Sequence, residues 1–238
     1  MKRQLRRHYN RISKTAESLN RTGLSSRRNI RLFVLTATVV MVCTVSGDVA
    51  YAQEPVSVMK VEEDWELEIG IPDPDVDGPQ VLSVIAPECS IDECHAVFEM
   101  NHNTSPENWA GGMQIQHWHG EDVLGHKTKF EGQMLATPNE LITYTMKMHL
   151  HDSDIHFEVK NGHSTTWGNF GGASLTLHSE TDHTNLDCYN PLTSLKYSRA
   201  SFASNRVKRF VLKEVRYYAA DGTLIETVAG ENINPPAN

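Results

Sequence analysis

Three carboxylates alternate along the segment VEEDWELEIG, which spans residues 61–70. Glu62, Asp64 and Glu66 stand at every second position, so in a β-strand their side chains project from the same face. Two carboxyl groups about 5 to 5.5 Å apart, with pKa values shifted in opposite directions, carry out retaining glycoside hydrolysis. The same alternation is typical of the wet face of a half-buried strand, and we favour that interpretation. The opposite face is apolar and holds Val61, Trp65, Leu67 and Ile69.

Histidines are concentrated in the segment TYTMKMHLHDSDIHFEVKNG, which alternates like a β-hairpin. If Asp152-Ser153 is the turn, each apolar residue of one strand faces an apolar residue of the other. The predicted pairs are Leu150 with Ile155, Met148 with Phe157 and Met146 with Val159, with Lys147 opposite Glu158 on the other face. The same register places His149 opposite His156 and puts His151 on their face. Three imidazoles there could bind Zn²⁺ or Cu²⁺, although we favour a solvated histidine cluster.

An acidic turn and three tryptophans are further candidate sites. Asp73, Asp75 and Asp77 form the D-x-D-x-D-G opening of a calcium loop, but Val84 stands where a full loop has glutamate. We favour a turn with Asx hydrogen bonds over a loose Ca²⁺ site, although an exported acidic protein suits Ca²⁺. Aromatic rings stack on sugars in binding clefts. The tryptophans that could do so are Trp109, Trp118 and Trp167.

The first 52 residues differ in composition from the remainder of the chain. They contain ten Lys or Arg and two acids, followed by the charge-free run LFVLTATVVMVCTVSG and then Ala50-Tyr51-Ala52. This order is that of a secretory signal peptide, so we expect cleavage between Ala52 and Gln53 and an exported protein that is not in the membrane after cleavage. An uncleaved membrane anchor is the alternative, because the run of 16 residues is near the spanning limit.

Removal of residues 1–52 changes the charge of the protein. It leaves 12 Lys or Arg and 28 Asp or Glu, a net charge of −16. Such a surface repels phosphate backbones, so we expect no nucleic-acid partner.

Removal of the leader also leaves an odd number of cysteines. Cys43 departs, while Cys89, Cys94 and Cys188 remain in a compartment that permits disulfides. Cys89 and Cys94 enclose only four residues, and we expect them to form the disulfide. Cys188 is then free or competes for one of them.

The spacing of apolar residues indicates one all-β domain over residues 53–238. Period-2 alternation recurs along the chain, and no window shows a sustained helical stripe. The segment 206–218 is apolar on both faces in its middle, as in a central strand, and Ala220-Asp221-Gly222 turns it into the next strand. Many short strands separated by Gly, Asn and Asp predict an antiparallel β-sandwich or jelly roll.

Four blocks of the sequence carry a resemblance. EEDWELEIG, GGMQIQHWHGE, STTWGNFGG and NRVKRFVLKEVRYYAADGTL resemble those of a group of uncharacterised exported bacterial proteins. The strand pattern is similar to concanavalin-like or laminin-G-like sandwiches. This resemblance implies fold and export, and no activity.

A second resemblance concerns the acidic strand alone. The stretch from Glu62 to Glu66 resembles the E-x-D-x-E strand of laminarinase-type glycoside hydrolases, although Glu63 replaces the usual apolar residue. The resemblance implies Glu62 as nucleophile, Asp64 as its modulator and Glu66 as acid/base.

Together these features favour an exported, non-catalytic binding module for carbohydrate or another surface ligand. The hypothesis requires no cofactor and leaves room for Ca²⁺. The alternatives are a retaining glycoside hydrolase that uses Glu62 and Glu66, and a metal-binding protein that uses the histidine cluster.

Overall fold

Alternating apolar and polar residues place most of the chain in antiparallel strands. The computed structural model describes residues 56–71, 78–101, 111–230 and 232–233. Thirteen strands lie in these ranges. In chain order they are β1 Lys60–Ile69, β2 Gln80–Ile85, β3 Cys94–Met100, β4 Gly112–His119, β5 Asp122–Phe130, β6 Leu141–His151, β7 Asp154–Ser164, β8 Gly168–Phe170, β9 Thr176–Glu180, β10 Arg199–Phe202, β11 Val207–Tyr218, β12 Leu224–Ala229 and β13 Asn232–Ile233.

The strands form two antiparallel sheets. The eight-stranded sheet has the order β12-β11-β1-β6-β7-β8, with β13 also paired to β11 and β9 also paired to β7. The five-stranded sheet has the order β10-β2-β3-β4-β5. The prediction of an all-β antiparallel sandwich is therefore confirmed.

The hairpin of β6 and β7 has the predicted register. Leu150 pairs with Ile155, Met148 with Phe157, Met146 with Val159 and Lys147 with Glu158. Asp152 adopts a positive φ of 55° in the two-residue turn, a conformation that a short polar side chain tolerates. Matching apolar residues across the two strands was sufficient to fix this register.

The hairpin of β11 and β12 is also as predicted. β11 lies between β12 and β1, and Phe210, Val211 and Leu212 are all buried, so the middle of the strand is covered on both faces. Gly222 donates its backbone N–H to Ala219 in the connecting turn. Only the inner of these two strands is central, since β12 is the edge of the sheet.

The core lies between the two sheets and is rich in aromatic contacts. Trp65 on β1 is 1% exposed, and its ring centroid lies 5.0 Å from that of Phe210. Phe98 on β3 reaches across to Tyr144 on β6, with 5.2 Å between ring centroids. This contact joins the inner faces of the two sheets.

Within the described ranges, one short α-helix lies among the strands. Helix α1 spans Pro191–Tyr197 and follows Asn190, whose side chain accepts a hydrogen bond from the backbone of Leu192. Proline at the first helical position and asparagine at the cap are both typical of a helix start. None of the helices in the described ranges is long and apolar enough to cross a membrane.

The expected Cys89–Cys94 disulfide is absent. The structure contains Cys89, Cys94 and Cys188 as free thiols. Cys94 begins β3 on its core-facing side, with its sulfur 3.4 Å from Nε2 of His117, whereas Cys89 is exposed. The two thiols have different partners, because the Cys89 thiol donates to the backbone carbonyl oxygen of Cys188 while Cys94 packs beside His117.

Replacement of Trp65 by alanine is expected to lower the free energy of unfolding by about 3 to 5 kcal/mol. The change removes a buried indole beside Phe210 and leaves a cavity. Leu224→Ala, at a residue 50% exposed on β12, is the control and should cost about 0.5 kcal/mol or less. Urea unfolding of the three proteins measures both values, and similar losses in the two variants would contradict the core role of Trp65.

Candidate functional site

The acidic face of β1 is an ion-pair array rather than an open carboxylate cluster. Arg216 on β11 donates to Asp64 at 2.9 Å and to Glu62 at 3.3 Å. Lys160 on β7 donates to Glu62 at 2.6 Å. Arg209 contacts Glu66 further along β11. Basic residues of β7 and β11 thus neutralise the carboxylates that the sequence singles out.

The ion pairs hold two of these carboxylates in the charged form. Burial opposes ionisation of Glu62, but Lys160 and Arg216 outweigh burial and lower its pKa. Burial is likewise outweighed at Asp64, where Arg216 and Thr145 lower the pKa. An ionised carboxylate is also what the nucleophile role implied for Glu62 requires, so the pKa shifts do not decide between the two interpretations. The contacts favour the structural one, because basic side chains of other strands occupy Glu62 and Asp64 and so hold the sheet together.

Glu63 points into the core, and it is not among the site residues predicted from the sequence. Its Oε2 accepts from the indole N–H of Trp65 at 2.9 Å, and its Oε1 accepts from the hydroxyl of Tyr189 at 2.6 Å and from that of Ser194. Burial raises its pKa to about 7, although the three donors act to lower it. The period-2 pattern was a usable signal, because it places residue 63 on the same face as Val61 and Trp65.

The histidines form a row across three strands on the outer face of the eight-stranded sheet. His149 on β6 stacks on His156 on β7 with 4.7 Å between ring centroids, as the predicted register requires. His178 on β9 stacks on the other side of His156 at 5.2 Å and was missed from the sequence. His151 meets His156 edge-on at 6.2 Å.

The histidine row is not arranged as a metal centre. Within the described ranges, no group of three or more His, Cys, Asp or Glu side chains is placed to hold a metal ion. Burial lowers the pKa of His149 to about 4, and Lys147 and His156 add to this effect. His149, His156 and His178 stack with 20° to 28° between adjacent ring planes, whereas ligands of one ion would turn their nitrogens towards a common point.

Of the other residues predicted as sites, some have a structural role and some lie outside the described ranges. Trp167 donates its indole N–H to the carbonyl of Gln133 at 2.8 Å and packs edge-on against Phe170, so it anchors a loop to the sandwich. Asp73, Asp75, Asp77 and Trp109 lie outside the described residues, as do Ala52 and Gln53 at the predicted cleavage point.

Trp118 belongs to a polar layer on the side of the five-stranded sheet that faces away from the core, where Trp118, Glu99, Gln114 and Gln116 are buried, between 5% and 8% exposed. In β3 and β4 the core side is apolar, with Phe98 opposite Ile115, and the alternate side chains point outwards. Those outward side chains include one or more polar residues from each of the five strands. We call this set the polar row, and it consists of Ser201 on β10, Gln80 on β2, Glu99 on β3, Gln116 and Gln114 on β4, and Thr128 on β5.

Hydrogen bonds run along the polar row from one edge of the sheet to the other. Ser201 donates to Gln80 at 3.0 Å, and Gln80 donates to Glu99 at 2.8 Å. On the far side of Glu99, the amide of Gln116 lies 3.5 Å from its other oxygen and also contacts the carbonyl of Gln114. These contacts fix the orientation of the amides.

The last members of the row connect it to Trp118. Gln114 donates to Thr128 at 2.6 Å, and the indole N–H of Trp118 donates to Gln116 at 2.9 Å. His95 stacks near the indole with 6.2 Å between ring centroids and 10° between planes. The alternation of the two glutamines with Met113 and Ile115 in the segment GMQIQHWH was the sequence signal for this surface.

Scanned against family models and against curated proteins, the chain has no match. Among solved structures it is similar to SCP-B, a member of the eqolisin family of peptidases in complex with the tripeptide Ala-Ile-His, at 8% identity and a TM-score of 0.28 over 74% of this chain and 83% of that one. It is also similar to scytalido-glutamic peptidase with a transition-state analogue inhibitor, at 10% identity and a TM-score of 0.25 over 76% and 85%. At these TM-scores neither likeness carries an argument about activity.

We expect the stability of the protein to depend on pH through Glu63. The pKa of this carboxyl is raised from 4.5 to about 7, so between these values the folded protein retains a proton that the unfolded chain releases. Stability must then fall as the pH rises through the window, by on the order of 3 kcal/mol in total. Glu63→Gln should lack this loss.

The measurement is a series of urea unfolding curves between pH 4.5 and pH 8 for the wild type and Glu63→Gln. The lowered pKa of His149 acts in the opposite direction, but it is common to both proteins and cancels in the difference. Glu68→Gln, on the outer face of β1, is the control and should follow the wild type. Parallel profiles for wild type and Glu63→Gln would contradict the prediction.

Proposed function

We propose that this protein is an exported, non-catalytic module that binds carbohydrate on the outer face of its five-stranded sheet. The single observation that carries the proposal is the polar row beside Trp118. Neither the ion-paired face of β1 nor the stacked histidine row offers an equivalent set of amide and hydroxyl groups around a single carboxylate.

The chemistry of the polar row suits a polyhydroxylated ligand. Each glutamine amide has both donors and acceptors, and Ser201 and Thr128 have hydroxyls that do both. Sugar hydroxyls also donate and accept, so they can exchange hydrogen bonds with these groups at little net cost. A row that crosses five strands of about 4.8 Å spacing extends for roughly 20 Å, a length suited to an oligosaccharide rather than a single sugar.

Glu99 and Trp118 supply the two interactions that amides lack. Glu99 is in the middle of the row, and a carboxylate is a stronger hydrogen-bond acceptor than a neutral group. The indole of Trp118 is an aromatic group of the kind that packs on the apolar face of a sugar ring, and because it is 7% exposed, a sugar reaches it only when neighbouring groups move aside. Its N–H bond to Gln116 fixes the ring beside the row.

The proposal predicts that variants of the polar row and of Trp118 weaken carbohydrate binding while the protein remains folded, with Trp118→Ala also lowering stability because its indole is buried. A glycan-array screen of the wild type identifies an oligosaccharide, and calorimetry then measures its affinity. Glu99→Gln and Trp118→Ala should each weaken binding at least about tenfold, equivalent to about 1.4 kcal/mol. The expected cause is loss of the charged acceptor in the first variant and of ring stacking in the second.

The matched control is Glu68→Gln, which makes the same chemical change as Glu99→Gln on the outer face of the other sheet. It should bind with wild-type affinity. Thermal melts of all variants show whether each is folded. Absence of any glycan ligand, or equal loss of binding in the two glutamine variants, would refute the proposal.

Export is the second part of the proposal and concerns the leader. We expect the protein recovered from the envelope or medium of its host to begin at Gln53, because the basic segment, apolar run and Ala50-Tyr51-Ala52 form a cleavable signal. N-terminal sequencing and intact mass provide the measurement. An exported protein that retains the apolar run would instead show an uncleaved anchor.

A further inference from the structure

Two exposed cysteines that are distant in sequence meet at the surface. The thiol of Cys89, between β2 and β3, donates to the backbone carbonyl oxygen of Cys188 at 3.2 Å. Both residues are exposed, and both lie outside regular secondary structure. Cys188 is in the 181–190 segment, which connects β9 to helix α1.

The geometry brings the pair close to the separation of a disulfide. With the Cys89 sulfur 3.2 Å from the Cys188 carbonyl oxygen, covalent geometry limits the distance between the two Cα atoms to about 8 Å. Disulfide-linked residues usually have Cα atoms about 4.4 to 6.8 Å apart. The limit exceeds the upper end of this range by only about 1 Å, and both residues are in loops.

Cys94 is unsuited to compete for either partner. It packs against the core with its sulfur near His117, and burial together with the charges of Glu88 and Glu93 raises its pKa to about 12. Because the thiolate is the reactive species in disulfide exchange, Cys94 is unreactive by comparison with the two exposed thiols.

We propose that Cys89 and Cys188 form a disulfide when the protein meets an oxidising disulfide, either a small molecule such as oxidised glutathione or a protein oxidant. One thiolate of the pair attacks a sulfur of the oxidant, which forms a mixed disulfide and releases one thiol. The second thiolate then attacks the protein sulfur of that mixed disulfide and releases the second thiol. Two electrons and two protons pass from the cysteines to the oxidant, so the step balances.

The bond has a structural consequence because of what the 181–190 segment holds. Asp187 accepts a hydrogen bond from the backbone of Val58 at 2.7 Å, and Tyr189 donates to the buried Glu63. Both contacts are made to the chain at or just before β1 of the eight-stranded sheet. A Cys89–Cys188 bond ties the same segment to the loop after β2, and hence to the five-stranded sheet.

The test is performed on the full chain incubated with oxidised or reduced glutathione. Peptide mapping without reduction should reveal one linked pair that contains Cys89 and Cys188, while Cys94 remains open to alkylation after unfolding. The oxidised protein should melt about 5 °C or more above the reduced protein, because the bond closes a long loop of the unfolded chain.

Three serine variants complete the experiment. Cys94→Ser, the control, should keep both the linked peptide and the difference in melting temperature, whereas Cys89→Ser and Cys188→Ser should lose both. Circular dichroism of each reduced variant confirms that it is folded. A linkage through Cys94 or Cys43, stable glutathione adducts in place of the pair, or the absence of any linkage after oxidation would overturn the proposal.

Discussion

The buried carboxyl group of Glu63 is the constraint on which the arrangement of the core depends. A carboxyl group in an apolar interior is tolerated only if its oxygens receive hydrogen bonds. Glu63 obtains them from Trp65 on its own strand and from Tyr189 and Ser194, which are more than 120 residues away. Satisfying one buried group therefore places the 181–190 segment and helix α1 against β1, at the centre of the larger sheet.

The outer faces of the two sheets satisfy polar side chains in different ways. On the eight-stranded sheet, carboxylates of β1 meet Arg and Lys side chains of β7 and β11, and Arg216 bridges Glu62 and Asp64. On the five-stranded sheet, Glu99 receives the amides of Gln80 and Gln116. Pairs of full charges fix the first face in one arrangement, whereas on the second face only the bonds to Glu99 are charge-assisted and the remaining bonds join neutral groups that can exchange partners.

Sequence reasoning succeeded where one physical rule decided the outcome. The β6–β7 register followed from apolar matching alone, and the same register brought His149 to His156. It failed where the outcome depended on contacts distant in sequence. The period-2 pattern places Glu63 on the core face. Its hydrogen-bond donors Tyr189 and Ser194 could not be predicted, because they are distant in sequence. To predict the polar row, one has to know that β3 pairs with β4 and β2. To predict the cysteine pair, one has to know that Cys188 lies beside Cys89.

The contrast between the two faces supports placing ligand recognition on the five-stranded sheet. A ligand at the acidic face of β1 would have to displace charge-assisted bonds worth about 1.5 to 3 kcal/mol each, because Arg216 and Lys160 already occupy the carboxylates. At the amide and hydroxyl members of the polar row a sugar hydroxyl instead replaces one neutral hydrogen bond by another, which is nearly even in free energy, whereas the amide bonds to Glu99 are charge-assisted. Affinity can then come from the carboxylate of Glu99, a stronger acceptor than an amide, and from stacking on Trp118. The amides of the polar row provide neither of these interactions.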